Sequence, residues 1–299
     1  MSDIKTIWLD VDPGHDDATA IMLAINLPNI HLLGISTTHG NASSYHTAIN
    51  AARCILAFGG AQLGIKVYPG ASKPLLLQAK HDPEIHGPDG LGGVEGLPAV
   101  DDSAVLAMIA KDEEGETVQF NILCDPHAAQ IVLDAPVPAV MIPINITHTA
   151  IVTRDIHRRL LSPSSIPDSL PDTKSSLPAA STPLRHTLST LISFFADSYK
   201  STFGFNDGPP LHDALTIAYV AHPELFTKTQ RYRVDVELSG VHTIGETVVD
   251  VWDYRGCGDD SWASDGKNCI VTQSLDVVKF FDIFLHCVSR CDTRSPLNK

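Results

Sequence analysis

The stretch IKTIWLDVDPGHDDATAIMLAI, from Ile4 to Ile25, decides how the rest of the chain is read. Ile4, Ile7, Trp8 and Leu9 read as a buried strand. Pro13-Gly14 breaks it, and Ala18 to Ile25 returns a helical pattern. Asp10, Asp12, Asp16 and Asp17 therefore fall where a strand ends and a helix begins, the place where open α/β sheets bind ligands. Two unit charges ~4 Å apart repel by about 4 kcal/mol at an effective dielectric of ~20. A helix N-terminus returns only roughly 0.3–1 kcal/mol per acid, enough for Asp16 and Asp17 but not for Asp10 and Asp12 as well. A divalent cation with oxygen ligands settles that balance better than a solvated, capped turn does.

Outward from this stretch, strand and helix patterns alternate, which predicts an α/β fold with an open, mostly parallel sheet and flanking helices. Strands are expected at 31–36, 65–68, from Thr117 onward and at 137–144. Helices are expected at about 44–58, 101–110, 127–133, 184–199 and 211–218. Residues 232–238 and 246–252 alternate as a small antiparallel addition near the C-terminus. A last strand at 268–272 and an amphipathic helix at 275–288 close a single domain spanning 1–299. Two segments stand apart. Residues 69–98 are rich in Gly and Pro and contain HGPDGLGG, starting at His86, which suits either a lid over the acids or a surface loop. Residues 162–183 are dominated by Ser and Pro, which predicts a flexible insert.

Composition narrows the function classes. The chain has 299 residues, 43% of them hydrophobic and 19% charged, which fits a globular protein with a substantial core. A net charge of −14 with no basic stripe argues against nucleic acid as a partner. No apolar run reaches the ~18 residues of a membrane span, and the N-terminus enters a strand directly, without a signal-peptide core. A cytoplasmic location, with the nucleus as a second compartment, is the expectation. The six cysteines form no Cys-x-x-Cys pair and read as reduced thiols.

Polar clusters recur at strand ends and helix starts: the four acids, Asn41, Asn121 and His212-Asp213. Asp213 alone reads as a helix cap and His212 alone as a packing residue; beside the acids, Asp213 becomes a further candidate ligand and His212 a candidate proton donor.

These residues carry a resemblance. DVDPGHDDA from Asp10 to Ala18 is similar to the N-terminal signature of the inosine/uridine-preferring nucleoside hydrolases. The likeness continues at Thr38-His39-Gly40-Asn41, the HGPDGLGG stretch, Phe120-Asn121, Asp125-Pro126, Leu211-His212-Asp213 and Thr247 to Asp250. The resemblance implies the family's open α/β sheet and calcium-dependent hydrolysis of the N-glycosidic bond of ribonucleosides. Position by position, Asp12 resembles the metal ligand that also serves as general base, Asp17 a second ligand, and Asp10 a support. Asp16, Asn41 and Asn121 match ribose-binding positions, and Gln119 stands where a Glu contacts the ribose 5′ end. Asp213 matches a ligand that also touches the ribose, His212 the leaving-group acid. Family members are homodimers or homotetramers, so the same is expected here.

The chain departs from the family between Val118 and Phe120, where a strand, a metal-binding Thr turn, a helix and a further strand are missing. A βα crossover needs ~30 residues or more, and none are present. Two alternatives follow. One is an impaired relative that only binds nucleosides. The other is a phosphatase of the haloacid-dehalogenase type, which also opens on strand-Asp-x-Asp but has a small or hydroxyl residue where this chain continues Pro-Gly.

Overall fold

The computed structural model describes residues 3–110, 124–163, 176–258 and 261–299. In chain order the first half runs β1 (Lys5–Val11), α1 (His15–Asn26), β2 (Ile30–Thr37), α2 (Ser44–Ala57), β3 (Val67–Pro69), α3 (Pro83–His86), α4 (Ser103–Met108), α5 (Pro126–Leu133) and β4 (Ala139–Met141). The second half runs α6 (Ile144–Thr147), α7 (Arg154–Leu161), α8 (Pro183–Phe203), α9 (Ala214–Ala221), β5 (Lys228–Tyr232), β6 (Val234–Val236), β7 (Thr247–Val249), β8 (Cys269–Ser274) and α10 (Val277–Arg294).

The fold is α/β, and three of the five described strand pairings are parallel. β1, β2 and β3 form one parallel sheet in sequence order. β4 pairs parallel to β8, whose other edge takes β5 antiparallel, and β6–β7 is the antiparallel addition. Among the described residues no strand joins β1 to β4.

α1 is the centre of the molecule. All twelve of its residues are buried, and it packs against α2, α9 and α10. The apolar run Ala18 to Ile25 has no polar face, which is the pattern of a helix enclosed on every side. The inner face of the first sheet carries Leu9, Val11, Ile35 and Val67 into the same core. A smaller cluster of Leu133, Val234, Cys269 and Val271 holds the second sheet.

β1 is not the buried strand its composition suggests. Trp8 is 50% exposed and Ile4 68%, because the described helices cover only one face of this sheet. Other differences have local causes. The strand expected over 137–144 stops at Met141, since Pro143 withdraws a backbone donor and leads into α6. The helix expected at 211–218 starts at Ala214, because residues 209–211 are held as a bridge by Val152 N–H to the Pro209 carbonyl (2.9 Å) and Leu211 N–H to the Ala150 carbonyl (3.0 Å). β5, whose sequence KTQRY does not alternate, and α7 had no expectation attached to them. Of the Ser/Pro stretch, 164–175 lies outside the described residues; its end carries Thr182, whose hydroxyl caps α8.

Candidate active site

Four carboxylates meet at the end of β1 and the start of α1 and α9, and none is solvated: Asp12, Asp16, Asp17 and Asp213 are 2%, 5%, 0% and 5% exposed. That rules out the open acidic turn. Asp17 builds the turn itself: from the third helical position it reaches back to accept the Asp12 and Gly14 amides at 3.2 and 3.0 Å, Gly14 being the N-cap. Asp12 accepts the Asn41 amide at 2.8 Å through Oδ2, while its Oδ1 is buried without a partner. A Cβ on Gly40 would collide with the same carboxylate, so the β2–α2 turn can approach Asp12 only as glycine.

Asp16 and Asp213 are in contact through their carboxyl groups, and Asp16 Oδ1 too is buried without a partner. Asp213 opens α9, yet its side chain makes no cap bond, so capping does not explain it. One oxygen each from Asp16, Asp17 and Asp213 lie within 4.8 Å of one another. Burial is the main cause that raises every one of these acids: Asp17 to about 7, Asp16 to about 6, Asp12 and Asp213 well above the usual range; repulsion adds to it at Asp12, Asp17 and Asp213, while the hydrogen bond with Asp213 holds Asp16 down. Asp10, at the sheet edge, is raised to about 6 by burial and is hydrogen-bonded by the Ser36 hydroxyl. Charge of this density, with two orphaned oxygens, fits a hard cation held by oxygen ligands.

Asn41 braces both acids: beyond the amide contact, its Nδ2 donates to the Asp12 carbonyl and to Asp17 Oδ2, each at 3.1 Å. His86 is buried, with Nδ1 3.2 Å from the His15 amide and 3.3 Å from His15 Nδ1. The loop after it is packed rather than loose, with Asn50 Nδ2 donating to the Asp89 carbonyl at 2.7 Å. Gln119 and Asn121 lie outside the described residues.

His212 is not a simple packing residue. The Thr147 hydroxyl donates to the Ile144 carbonyl (3.1 Å), so its oxygen accepts from His212 Nδ1 (2.7 Å), and Nε2 is left to accept the Tyr199 hydroxyl (2.7 Å). Burial lowers His212 to about 4 and, together with Asp16 and Asp213, raises Tyr199. Histidine is thus neutral and phenol protonated at neutral pH. Tyr199, Thr147 and His148, whose ring lies 5.4 Å from that of His212, escaped the sequence reading. Tyr199 ends the inward stripe Leu188, Ile192, Phe195 on α8, and a polar last member of such a stripe was the available signal.

A Dictyostelium discoideum protein described as a probable ribonucleoside hydrolase is 30% identical over 346 aligned positions, covering 97% of this chain and 96% of its own. That span exceeds the 299 residues here, so the relative carries several dozen residues without counterpart. The uridine nucleosidase of Saccharomyces cerevisiae is 30% identical over 71% of this chain and 74% of its own. The solved purine-preferring ribonucleoside hydrolase of Gardnerella vaginalis has the same fold, with a TM-score of 0.73 at 23% identity over 96% of this chain and 99% of that one. The profile described as inosine-uridine preferring nucleoside hydrolase matches residues 7–119 and 107–282, two pieces that meet at the departure noted in the sequence. By this match the chain belongs to the inosine-uridine preferring nucleoside hydrolase family.

Proposed function

We propose that this chain hydrolyses the N-glycosidic bond of ribonucleosides of the uridine or inosine type, giving ribose and the free base. The observation that carries the reading is the buried, uncompensated cluster of Asp12, Asp16, Asp17 and Asp213 with its two orphaned oxygens. Asp16, Asp17 and Asp213, whose oxygens converge within 4.8 Å, would hold a calcium ion, with Asp12 as a further ligand through its unpartnered Oδ1. When bound, the ion neutralises the cluster and polarises oxygens beside it, which favours both a water nucleophile and the ribose hydroxyls.

The residues divide the remaining work. Asp12 takes a proton from the water that attacks C1′, through the oxygen that has no other partner. Asp16 and Asp213 stabilise the positive ribosyl centre that forms as the bond to the base breaks. Asn41 fixes Asp12 and Asp17, so the sugar meets a rigid site. The bonding electrons leave with the base nitrogen, which needs a proton. The His212 proton on Nδ1 faces Thr147, so the Tyr199–His212 pair, with Tyr199 beside Asp16 and Asp213, is the better-placed donor than His212 alone. The base departs with that proton, Asp12 releases to solvent the proton it took from the water, and the Tyr199–His212 pair takes one back from solvent, so that one water is consumed per turnover.

Ribose release from uridine and inosine tests this. It should occur with calcium and stop on chelation; no release at high enzyme concentration in saturating calcium would end the reading. The break at residues 107–119 favours a second reading, a chain that binds nucleosides without turnover. Calorimetric binding of uridine without ribose release would select it.

A further inference from the structure

His15 is the first residue of α1, directly before Asp16 and Asp17, and its imidazole is wholly buried. Both of its ring nitrogens meet the turn that begins at His86. Nε2 lies 3.0 Å from the Gly92 carbonyl, which can only accept, so Nε2 holds the proton. The His15 backbone amide can only donate, so His86 Nδ1, 3.2 Å away, is a lone pair and the His86 proton sits on Nε2. Burial lowers the two rings to about 4 and about 3, which keeps each neutral at pH 7. His15 Nδ1 and His86 Nδ1 then face one another at 3.3 Å, so the rings are held by their other bonds and not by each other. Phe194 and Phe195 of α8 stack on the His15 ring at centroid distances of 4.9 and 5.7 Å, with interplanar angles of 5° and 7°. A Cβ on Gly14 would come within 2.4 Å of His86 Nδ1 and 2.7 Å of Asn41 Nδ2, so His86 presses on the same turn that Asn41 braces.

These contacts leave one free donor beside the acids. His86 Nε2 has no hydrogen-bond partner among the described residues. Phe195 lies between His86 and the proton-donating pair, its ring 5.4 Å from that of His86 and 4.7 Å from that of Tyr199, whose hydroxyl meets His212. Resting on the nucleoside reading above, we propose that His15 is a positioning residue: it ties the turn from His86 to Gly92 onto the acid-bearing turn, so that His86 Nε2–H stands as a fixed donor toward the bound nucleoside. A neutral imidazole N–H suits the oxygens of a ribose or the carbonyl of a base. Because His15, Asp16 and Asp17 are consecutive in one helical turn, the carboxylates and the His86 turn are held as one body. A donor held in place beforehand has little freedom left to lose when the nucleoside arrives, which is how positioning raises a rate.

The test compares the full chain with His15→Phe and His15→Gln, after circular dichroism has verified that each folds. Phenylalanine retains a ring against Phe194 and Phe195 but loses the donor to Gly92; glutamine returns an Nε2–H at a similar reach. Ribose release from uridine gives kcat and KM, calorimetry gives calcium affinity, and hydrogen exchange reads the backbone amides within 86–93. His15→Phe should lower kcat about tenfold and speed that exchange about tenfold, with KM and calcium affinity within about threefold of the parent, as for loss of one positioning hydrogen bond. His15→Gln should recover most of both losses. Unchanged kcat or unchanged exchange in His15→Phe overturns the proposal, as does a glutamine variant no better than phenylalanine. So does a calcium affinity that falls as far as kcat, which would make His15 a support for Asp16 and Asp17 instead. In the parent itself, nitrogen-15 imidazole spectra should show His86 as the Nε2–H tautomer; the Nδ1–H tautomer overturns the proposal whatever the variants do. A parent that binds uridine without releasing ribose ends the hydrolase reading alone. His15 is then judged by the exchange and by uridine affinity, which should fall in His15→Phe and recover in His15→Gln.

Discussion

The middle and the C-terminal end of one short strand reverse the usual order of burial. At the C-terminal end of β1, Asp12 and the acids after it are enclosed; four residues earlier, Trp8 stands half in solvent. Charged groups are seldom buried unpaired, and large aromatics are seldom left bare. The difference teaches that, among the described residues, the acids at the strand's end lack a counter-charge and the aromatic at its middle lacks a covering layer. Inner-face residues of the same strand, Leu9 and Val11, behave ordinarily and anchor both anomalies to one rigid element.

The acid end should respond most strongly to change. Asp12→Asn should lower ribose release by about 10²–10⁴-fold, the usual worth of a general base, with the melting temperature unchanged or raised. A melting temperature that falls instead would make Asp12 a structural brace. Next in size is the effect of calcium on the metal-free chain. A carboxyl whose pKa is raised on folding contributes most stability below its unfolded value near 4 and loses it as pH rises through the folded value, here about 6 to 7 and beyond for Asp16, Asp17, Asp12 and Asp213. His15, His86 and His212, lowered to about 4, 3 and 4, act oppositely, but only below their unfolded value of 6.5. From pH 6.5 to 8 the acids act alone, so the metal-free chain should melt at a lower temperature at pH 8. Saturating calcium should restore roughly 5–10 °C there and less at pH 6.5. A calcium effect independent of pH would break the contrast.

How much of this was legible beforehand follows the range of the interactions. The opening strand, turn and helix were readable because one local run contains both the apolar pattern and the punctuating Pro13-Gly14. Asp12, Asp16 and Asp17 were readable for the same reason. Asp213 was suggested by a helix start, and only the tertiary fold shows its carboxyl against Asp16. Tyr199 was hidden, since its role depends on α8 crossing the turn that carries His212. The exposure of Trp8 could not be read from β1 at all, because it depends on which elements cover the sheet.

Two smaller effects sharpen the comparison. Tyr199→Phe removes the hydroxyl that His212 Nε2 accepts and should lower kcat by at least about tenfold, toward the ~10²–10⁴ of a general acid, with KM nearly unchanged. An unchanged kcat would return the donor role to His212 alone. Trp8→Ala should lower unfolding stability by only ~1 kcal/mol, against ~3–5 kcal/mol for Phe284→Ala in the core. Equal losses in denaturant titrations would mean that the outer face is already covered.

The cation is the point on which the rest depends, and proton-linked calorimetry reaches it directly. Calcium titrated into the metal-free chain at pH 6.5, in two buffers of different ionisation enthalpy, reads both binding and proton release. The account predicts one ion bound per chain with at least one proton expelled from the carboxyl cluster, and loss of both in Asp213→Asn. Absence of binding, or binding that releases no proton and survives Asp213→Asn, would contradict it.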